Sequence, residues 1–371
     1  MKFTIVGAGF SGAVTARALA EAGHLVTVLD GRPHVAGNCH TERCSETGVL
    51  VHHYGPHIFH TAHEAVWAYV NRFAKFHTYR HQVKTTSQGA VFSLPISLHT
   101  INQFFDRTFR PEEARAYIET HEADRSIADP KSFEDQALRF VGPRLYDAFF
   151  KGYTEKQWGL SPAELPASIL KRLPLRFDYN DNYFAHPYQG MPAEGYTALV
   201  ENILDHPRID VHLSTVLSAH EAQQGDHLVW TGPLDGYFDN RLGHLGYRTL
   251  DFERFTAHGD WQGCAVMNYA DADVPWTRIT EHKHFAPWEA HDQTVLYRET
   301  PRACGPDDTP YYPIRLVREK ALLTEYEALA AAQENVTFLG RLGTYRYLDM
   351  DVSIAEAMQK GRDLIATYGT A

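Results

Sequence analysis

Three short stretches hold residues whose types and spacing can do chemistry. Near the start, Gly7-Ala8-Gly9-Phe10-Ser11-Gly12 has the G-x-G-x-x-G spacing. A loop without Cβ atoms lets the backbone approach a pyrophosphate closely. Far along the chain, GRLGTYRYLDMD (340–351) gathers Gly340, Arg341, Tyr347, Asp349 and Met350. A guanidinium and phenols suit an anion, and a carboxylate suits hydroxyl groups. Between them, HHYGPHIFHTAH (52–63) places His53, His57, His60 and His63 in one run. Gly55-Pro56 prevents one helical face from presenting these rings, and no Cys or carboxylate within the run completes a site. No metal is therefore expected there; the alternatives are a histidine beside a cofactor or one hydrogen-bonded in a turn.

The elements around the first stretch give it meaning. Lys2 to Val6 reads as a buried strand, and Val14, Ala18, Leu19 and Ala22 recur at helical spacing up to a stop at Gly23. A second strand, His24 to Leu29, ends on Asp30. Strand, glycine turn, helix, strand and terminal acid form a Rossmann-type dinucleotide unit, in which the acid takes ribose hydroxyls. The next residues, Gly31-Arg32-Pro33-His34-Val35-Ala36-Gly37-Asn38, add an Arg and a small-residue pair. This extension resembles a second FAD fingerprint, with Ala36 in place of the usual first glycine, and favours FAD over NAD. At the far end, 336–341 reads as a strand, and Ser353-x-x-Glu356 as the capping box of a helix carrying Ile354, Met358 and Ile365. The positive N-terminus of that helix would face the N1/O2 edge of a flavin, with Gly340 and Arg341 near its phosphate or ribityl chain.

The middle of the chain reads differently. Residues 98–172 are mainly helical, with helix starts at Arg110-Pro111-Glu112-Glu113 and Ser132-x-x-Asp135. Tyr146, Phe149, Phe150 and Tyr153 recur at helical intervals, a stripe that suits a core or a stacking platform equally. Tyr153 and Trp158 are expected at a helix end or loop. Alternating residues in 173–194 and 233–315 suggest an antiparallel sheet holding Asn268, Arg278 and Tyr312. The formal charge of −11 excludes a broad nucleic-acid face. The four cysteines include no C-x-x-C pair, no apolar run approaches a membrane span, and no leader precedes the first strand. A cytoplasmic protein without membrane insertion is expected. Neither G-x-S-x-G nor a Walker A loop occurs, which leaves the chemistry to a cofactor.

Together with YGPHIFHT, FFKGYTEKQWG, RLPLRFDYNDNYF, QGMPAEGYT, WTGPLDGYFD, GCAVMNYAD, PWTRITEHKHF and PYYPIR, these segments resemble the bacterial UDP-galactopyranose mutase family along essentially the whole chain. The resemblance implies an α/β fold: a discontinuous FAD domain (1–75, 195–232, 330–371), a helical domain with a mobile loop (98–172), and an antiparallel sheet domain (76–97, 173–194, 233–329). It implies an isomerase of cell-surface polysaccharide biosynthesis that interconverts UDP-galactopyranose and UDP-galactofuranose. FAD would act in its reduced form through a covalent bond from flavin N5 to the sugar, redox-neutral overall. Phe149 and Tyr153 would stack on uridine, with Phe150, Trp158 and Asn268 also at the substrate. Arg172 and Arg278 would clamp the diphosphate, assisted by hydroxyls of Tyr183, Tyr312 and Tyr347. Asp349 would hold the sugar, and His57 and His60 the flavin face. Gly7, Gly9, Phe10, Ser11, Gly12, Asp30, Gly31, Arg32, Gly37, Asn38, Gly340, Arg341 and Met350 would hold FAD. A homodimer is implied as well. The alternatives are a mutase of UDP-N-acetylgalactosamine or a dTDP-deoxyhexose, and an FAD amine oxidase or desaturase.

Overall fold

The computed structural model describes residues 1–170, 175–218, 221, 225–314 and 316–370. Its first sheet is five-stranded and wholly parallel, in the order Ile209–His212, Leu25–Leu29, Lys2–Val6, His227–Trp230, Val336–Phe338. Phe3, Thr4 and Ile5 are consecutive and all buried, as a central parallel strand covered on both faces requires. The helix Phe10–Glu21 leaves this sheet and packs on the late helix Met350–Tyr368. Contact there is close: a Cβ on Gly361 would lie 2.7 Å from the Cβ of Ala18. Segments from both ends of the chain therefore share one core, with Ala13, Leu19, Ile354 and Leu364 inside it.

The second sheet has seven strands, in the order Tyr312–Pro313, Tyr247–His258, Gln293–Ala303, Arg278–Glu281, Val266–Tyr269, Val83–Ser87, Ala90–Leu94. It departs from the expected antiparallel sheet at one pair, because Val266–Tyr269 runs parallel to Val83–Ser87. A parallel neighbour needs a long crossover, and the chain between Ala90–Leu94 and Val266–Tyr269, which includes the helical region, supplies it. Tyr188–Pro192 was expected in this sheet; it pairs instead with Phe59–Thr61 and Phe76–Thr78 in a small separate one. Val317–Ala331 is a helix, and its Tyr326 is buried in the cluster that holds Trp230 and Phe238.

The helical region contains Leu98–Phe105, Pro111–Tyr117, Phe133–Tyr146 and Gly152–Trp158, with wider turns over 118–122 and 147–151. The capping box at Ser132 forms: Asp135 N–H donates to Ser132 Oγ at 3.0 Å, and Ser132 N–H to Asp135 Oδ2 at 3.1 Å. The box expected at Ser353 does not form. The late helix starts earlier, with Asp349 as N-cap, and the amide of Ser353 already donates to the Asp349 carbonyl at 3.0 Å. Glu356 pairs instead with Arg346 at 2.5 Å. The buried stripe of this helix runs through Ile354, Ala357, Gly361 and Leu364, leaving Met358 and Ile365 at its margin.

Candidate cofactor and substrate site

One cavity of about 600 Å³ lies where the parallel sheet, the seven-stranded sheet and the helical region meet. Its parallel-sheet side is rich in glycine. Gly7, Gly9, Phe10 and Ser11 line it, and so do Asp30, Gly31, Arg32, Gly37 and Asn38 from the end of the second strand. A Cβ on Gly7 would sit 2.0 Å from Thr231 Oγ1, and one on Gly340 2.9 Å from Ser11 Oγ. Gly12 faces away from the cavity and closes the turn: its Cβ would be 1.9 Å from the carbonyl oxygen of Gly7. Asp30 is engaged through both oxygens, by Ala8 N–H at 2.8 Å and Arg32 N–H at 2.9 Å, so it fixes the turn as well as bordering the cavity. Ala36 holds φ +72°, the left-handed region that favours glycine. The substitution noted in the fingerprint thus carries strain of about 1–2 kcal/mol.

The segment 340–350 forms the floor. Gly340, Arg341, Tyr347, Asp349 and Met350 all line the cavity. Arg341 donates to the Tyr311 carbonyl, while its Nε is buried with no partner among the described residues. Asp349 caps the late helix through its backbone, and its carboxylate makes no capping bond, which leaves it to the cavity. The other polar residues of this segment have structural work. Tyr345 is fully buried, and its hydroxyl, with one proton shared between two acceptors, lies 2.5 Å from the Gly246 carbonyl oxygen and 2.7 Å from that of Ile314.

The opposite wall comes from the seven-stranded sheet through Asn268 and Arg278, from the helical region through Tyr153, and from the loop before Tyr188–Pro192 through Tyr183. Arg278 and Glu299 are directly opposite on neighbouring strands, and Arg278 Nε reaches Glu299 Oε2 at 2.6 Å. Thr280 Oγ1 donates to the other carboxylate oxygen at 2.9 Å. Burial pulls the Arg278 pKa down, but Glu299, Tyr312 and Tyr153 outweigh it and raise the value above normal. The guanidinium is permanently charged, and its two terminal nitrogens have no hydrogen-bond partner among the described residues.

Four predicted substrate residues are not cavity-lining. Phe149 is buried in the helical core, with ring centroids 5.1 Å from Phe92 and 5.3 Å from Phe104; its place in the aromatic stripe makes it core. Phe150 and Trp158 pack against the same core. Tyr312 stacks on Tyr347, with ring centroids 5.8 Å apart, and acts on the charge of Arg278. Arg172 lies outside the described residues. Glu299, His81, Phe184 and His186 had not been anticipated.

The histidines around the cavity are held neutral. His57 Nδ1 is 2.9 Å from the Gly55 carbonyl, which can only accept, so the proton sits on Nδ1 and Nε2 is bare. Burial lowers its pKa to about 4, with the Arg341 and Arg278 charges adding to the effect. His60 stacks on Phe184 at 3.6 Å, and its Nδ1 meets His186 Nδ1 at 2.8 Å, so one ring donates to the other. Burial also lowers the His60 pKa, against the pull of Asp349. His81 and His282 are pushed by burial to about 3, and His52 well below normal. These folded-state values lie below that of the unfolded chain, so the unfolded state takes protons first as pH falls. The stabilisation is complete above pH 6.5 and is lost between 6.5 and about 3. His81 and His282 each contribute a slope of about 1.4 kcal/mol per pH unit across that window, and the depressed His52 acts in the same direction. The urea midpoint will therefore fall steeply from pH 6.5 to 4.5; a flat profile there would contradict buried neutral rings.

A family model described as UDP-galactopyranose mutase matches residues 148–347, and one described as an NAD(P)-binding Rossmann-like domain matches residues 5–73. The chain belongs to the UDP-galactopyranose mutase family. It is 58% identical over 363 residues to a probable UDP-galactopyranose mutase of Klebsiella pneumoniae, covering 98% of this chain and 94% of that one. It is 51% identical over 365 residues to the dTDP-fucopyranose mutase of Escherichia coli, covering 96% and 97%. A crystal structure of reduced UDP-galactopyranose mutase shares the fold with a TM-score of 0.77 at 15% identity, over 99% of this chain and 96% of that one. A member of this mutase family is an isomerase, and its Rossmann-type unit is the dinucleotide-binding part. No helix among the described residues is long and apolar enough to cross a membrane.

Proposed function

We propose that the protein interconverts UDP-galactopyranose and UDP-galactofuranose, using FAD in its reduced form. The observation that carries this reading is convergence. The cofactor-type glycine turn and the anion- and hydroxyl-binding side chains Arg278, Tyr347 and Asp349 open into one cavity. The residues present fit FAD. Gly9 lines the cavity and a Cβ there would meet no protein atom closer than 3.8 Å, which leaves its backbone open to a pyrophosphate, and Arg341 Nε is a buried donor with no partner among the described residues. Reduced FAD would supply the nucleophilic nitrogen, N5, that exchanges with UDP at the anomeric carbon, splitting one rearrangement into easier steps.

The chain's own groups perform the rest. Arg278 neutralises the departing diphosphate with the terminal edge of its guanidinium, since its Nε is spent on Glu299. Tyr183 and Tyr347 donate hydroxyls to the same phosphates, with Tyr312 buttressing Tyr347. Arg172 is assigned as the second arginine on resemblance alone. Tyr153 takes the uridine contact, and Asn268 lines the adjoining wall. Asp349 holds sugar hydroxyls, and the neutral rings of His57 and His60 border the reacting centre without adding positive charge. The N-terminus of Met350–Tyr368 favours negative charge on a bound flavin. A cytoplasmic homodimer completes the proposal.

Anaerobic chromatography of UDP-galactofuranose with the yellow protein, with and without dithionite, tests it. Conversion to UDP-galactopyranose only after reduction is the expected result; none by reduced, FAD-loaded protein would overturn it. The 51% identity to a dTDP-fucopyranose mutase favours a second reading, a dTDP-deoxyhexose substrate on the same machinery. Comparing kcat/KM for the two nucleotide sugars separates them. The cofactor assignment has its own check in Gly12→Ala. Its Cβ would meet the Gly7 carbonyl oxygen at 1.9 Å, forcing the turn open. At about 1–3 kcal/mol for overpacking, FAD affinity should fall roughly 5- to 150-fold. A normal flavin-to-protein ratio after dialysis would count against the turn as the cofactor cradle.

A further inference from the structure

We propose that His40, Glu42 and His53 form a binding site for a divalent transition-metal ion of the zinc or cobalt type, outside the cavity. Thr41–Arg43 and Leu50–His52 are antiparallel neighbours in which Thr41 faces His52. Continuing that register puts His53 opposite His40, and the His53 amide donates to the His40 carbonyl at 3.2 Å. Glu42 is two residues from His40 and so shares its face. Two residues on one strand and one across from them thus converge, and a nitrogen or oxygen from each lies within 4.8 Å of the others. His53 Nε2 and Glu42 Oε2 are 3.3 Å apart. That is about the edge of a tetrahedron around an ion with bonds of ~2.0 Å.

The hydrogen bonds around His40 fix which nitrogen is free. Thr197 Oγ1 receives the Thr41 amide at 2.8 Å and gives its own proton to the Thr41 carbonyl at 2.8 Å. Its contact with His40 Nδ1 at 3.0 Å must then be one in which the ring donates. His40 Nε2 is left as a bare lone pair, and Thr197 plays the outer-sphere role that orients a ligating histidine. The His34 ring, stacked on His40 at 3.7 Å and 16°, holds it from the other side. Glu42 is exposed, so water can complete the coordination. Two imidazoles and one carboxylate suit zinc, cobalt or nickel, and supply too few oxygens for calcium or magnesium. The other cluster of this type, Asp260, Glu281 and His284, differs in that both carboxylate oxygens of Glu281 are engaged by backbone amides, those of Trp261 and Gln262. His40 directly follows Gly37, Asn38 and Cys39 of the cavity wall, so a bound ion would anchor that wall from outside.

The test titrates untagged, FAD-loaded protein with zinc by calorimetry and with cobalt by visible absorption. One saturable ion per chain is expected. Zinc affinity should drop at least ~10-fold in His53→Ala, in Glu42→Gln and in Thr197→Val, and stay unchanged in His284→Ala. Magnesium should not compete. Absence of saturable binding, retention of it in His53→Ala and Glu42→Gln, or its loss in His284→Ala would each overturn the proposal. Since zinc binding is read directly, these outcomes are independent of which sugar the enzyme accepts.

Discussion

Arg278→Lys will keep its fold and its flavin yet turn over substrate about 10²- to 10³-fold more slowly, the scale for losing a preorganised donor at developing charge. The reason is the division of labour within one guanidinium. Its Nε is committed to Glu299 at 2.6 Å, while the two terminal nitrogens are unpaired among the described residues and lie on the cavity wall. A lysine has one nitrogen on a flexible stem and cannot pair with Glu299 while presenting a planar edge to a diphosphate. Arg278→Ala should lose at least as much turnover and add a stability defect, because it strands Glu299. The measurement is kcat on protein with a checked flavin content under reducing, anaerobic conditions. Near-wild-type turnover in Arg278→Lys would mean that Arg278 does not hold the leaving group.

Glu299→Ala should be the most destabilising single change around the cavity, by about 3 kcal/mol or slightly more. Glu299 is fully buried, accepts from both Arg278 and Thr280, and lies directly across the strand pair from Arg278. Removing it leaves a buried arginine unpaired, a change that typically costs 3–5 kcal/mol. The lower end applies because the Arg278 side chain keeps 23% of its exposure through the cavity, where water screens it. Glu299→Gln, which retains an acceptor for Thr280, should lose visibly less. Urea unfolding of the three proteins at neutral pH decides the matter. A loss below about 1 kcal/mol for Glu299→Ala would show that the pair is not a stability element.

Local features were the legible ones. The glycine turn, its helix and the Asp30 strand end could be read because each signal lies within a few residues of the next. The capping box at Ser132 belongs to the same class. The box inferred at Ser353 failed because Asp349, four residues earlier, already starts the helix, and Glu356 is held by Arg346. Phe149 satisfied both a stacking role and a core role on paper, and packing against Phe92 and Phe104 selects the core. The Glu299 partner was visible in principle. Val295, Tyr297 and Glu299 alternate on one face of a strand, and a carboxylate on the buried face demands a cation. The histidine run 52–63 appeared to lack a carboxylate only because Glu42 arrives from the other side of a hairpin. Contacts across strands are what a linear reading omits.

The sharing of one core by the helices Phe10–Glu21 and Met350–Tyr368 also has a consequence for synthesis. The cavity needs Gly7 and Gly9 from the first residues and Gly340, Arg341, Asp349 and Met350 from much later ones. The strand Val336–Phe338 docks on His227–Trp230, and Gly361 must seat against Ala18. A growing chain on the ribosome therefore carries half a cradle through most of its translation. Its first helix waits with an apolar face uncovered until more than three hundred further residues have emerged. Cofactor capture is a late, post-translational event, and the interval before it is when the nascent chain is most exposed to chaperones and to aggregation.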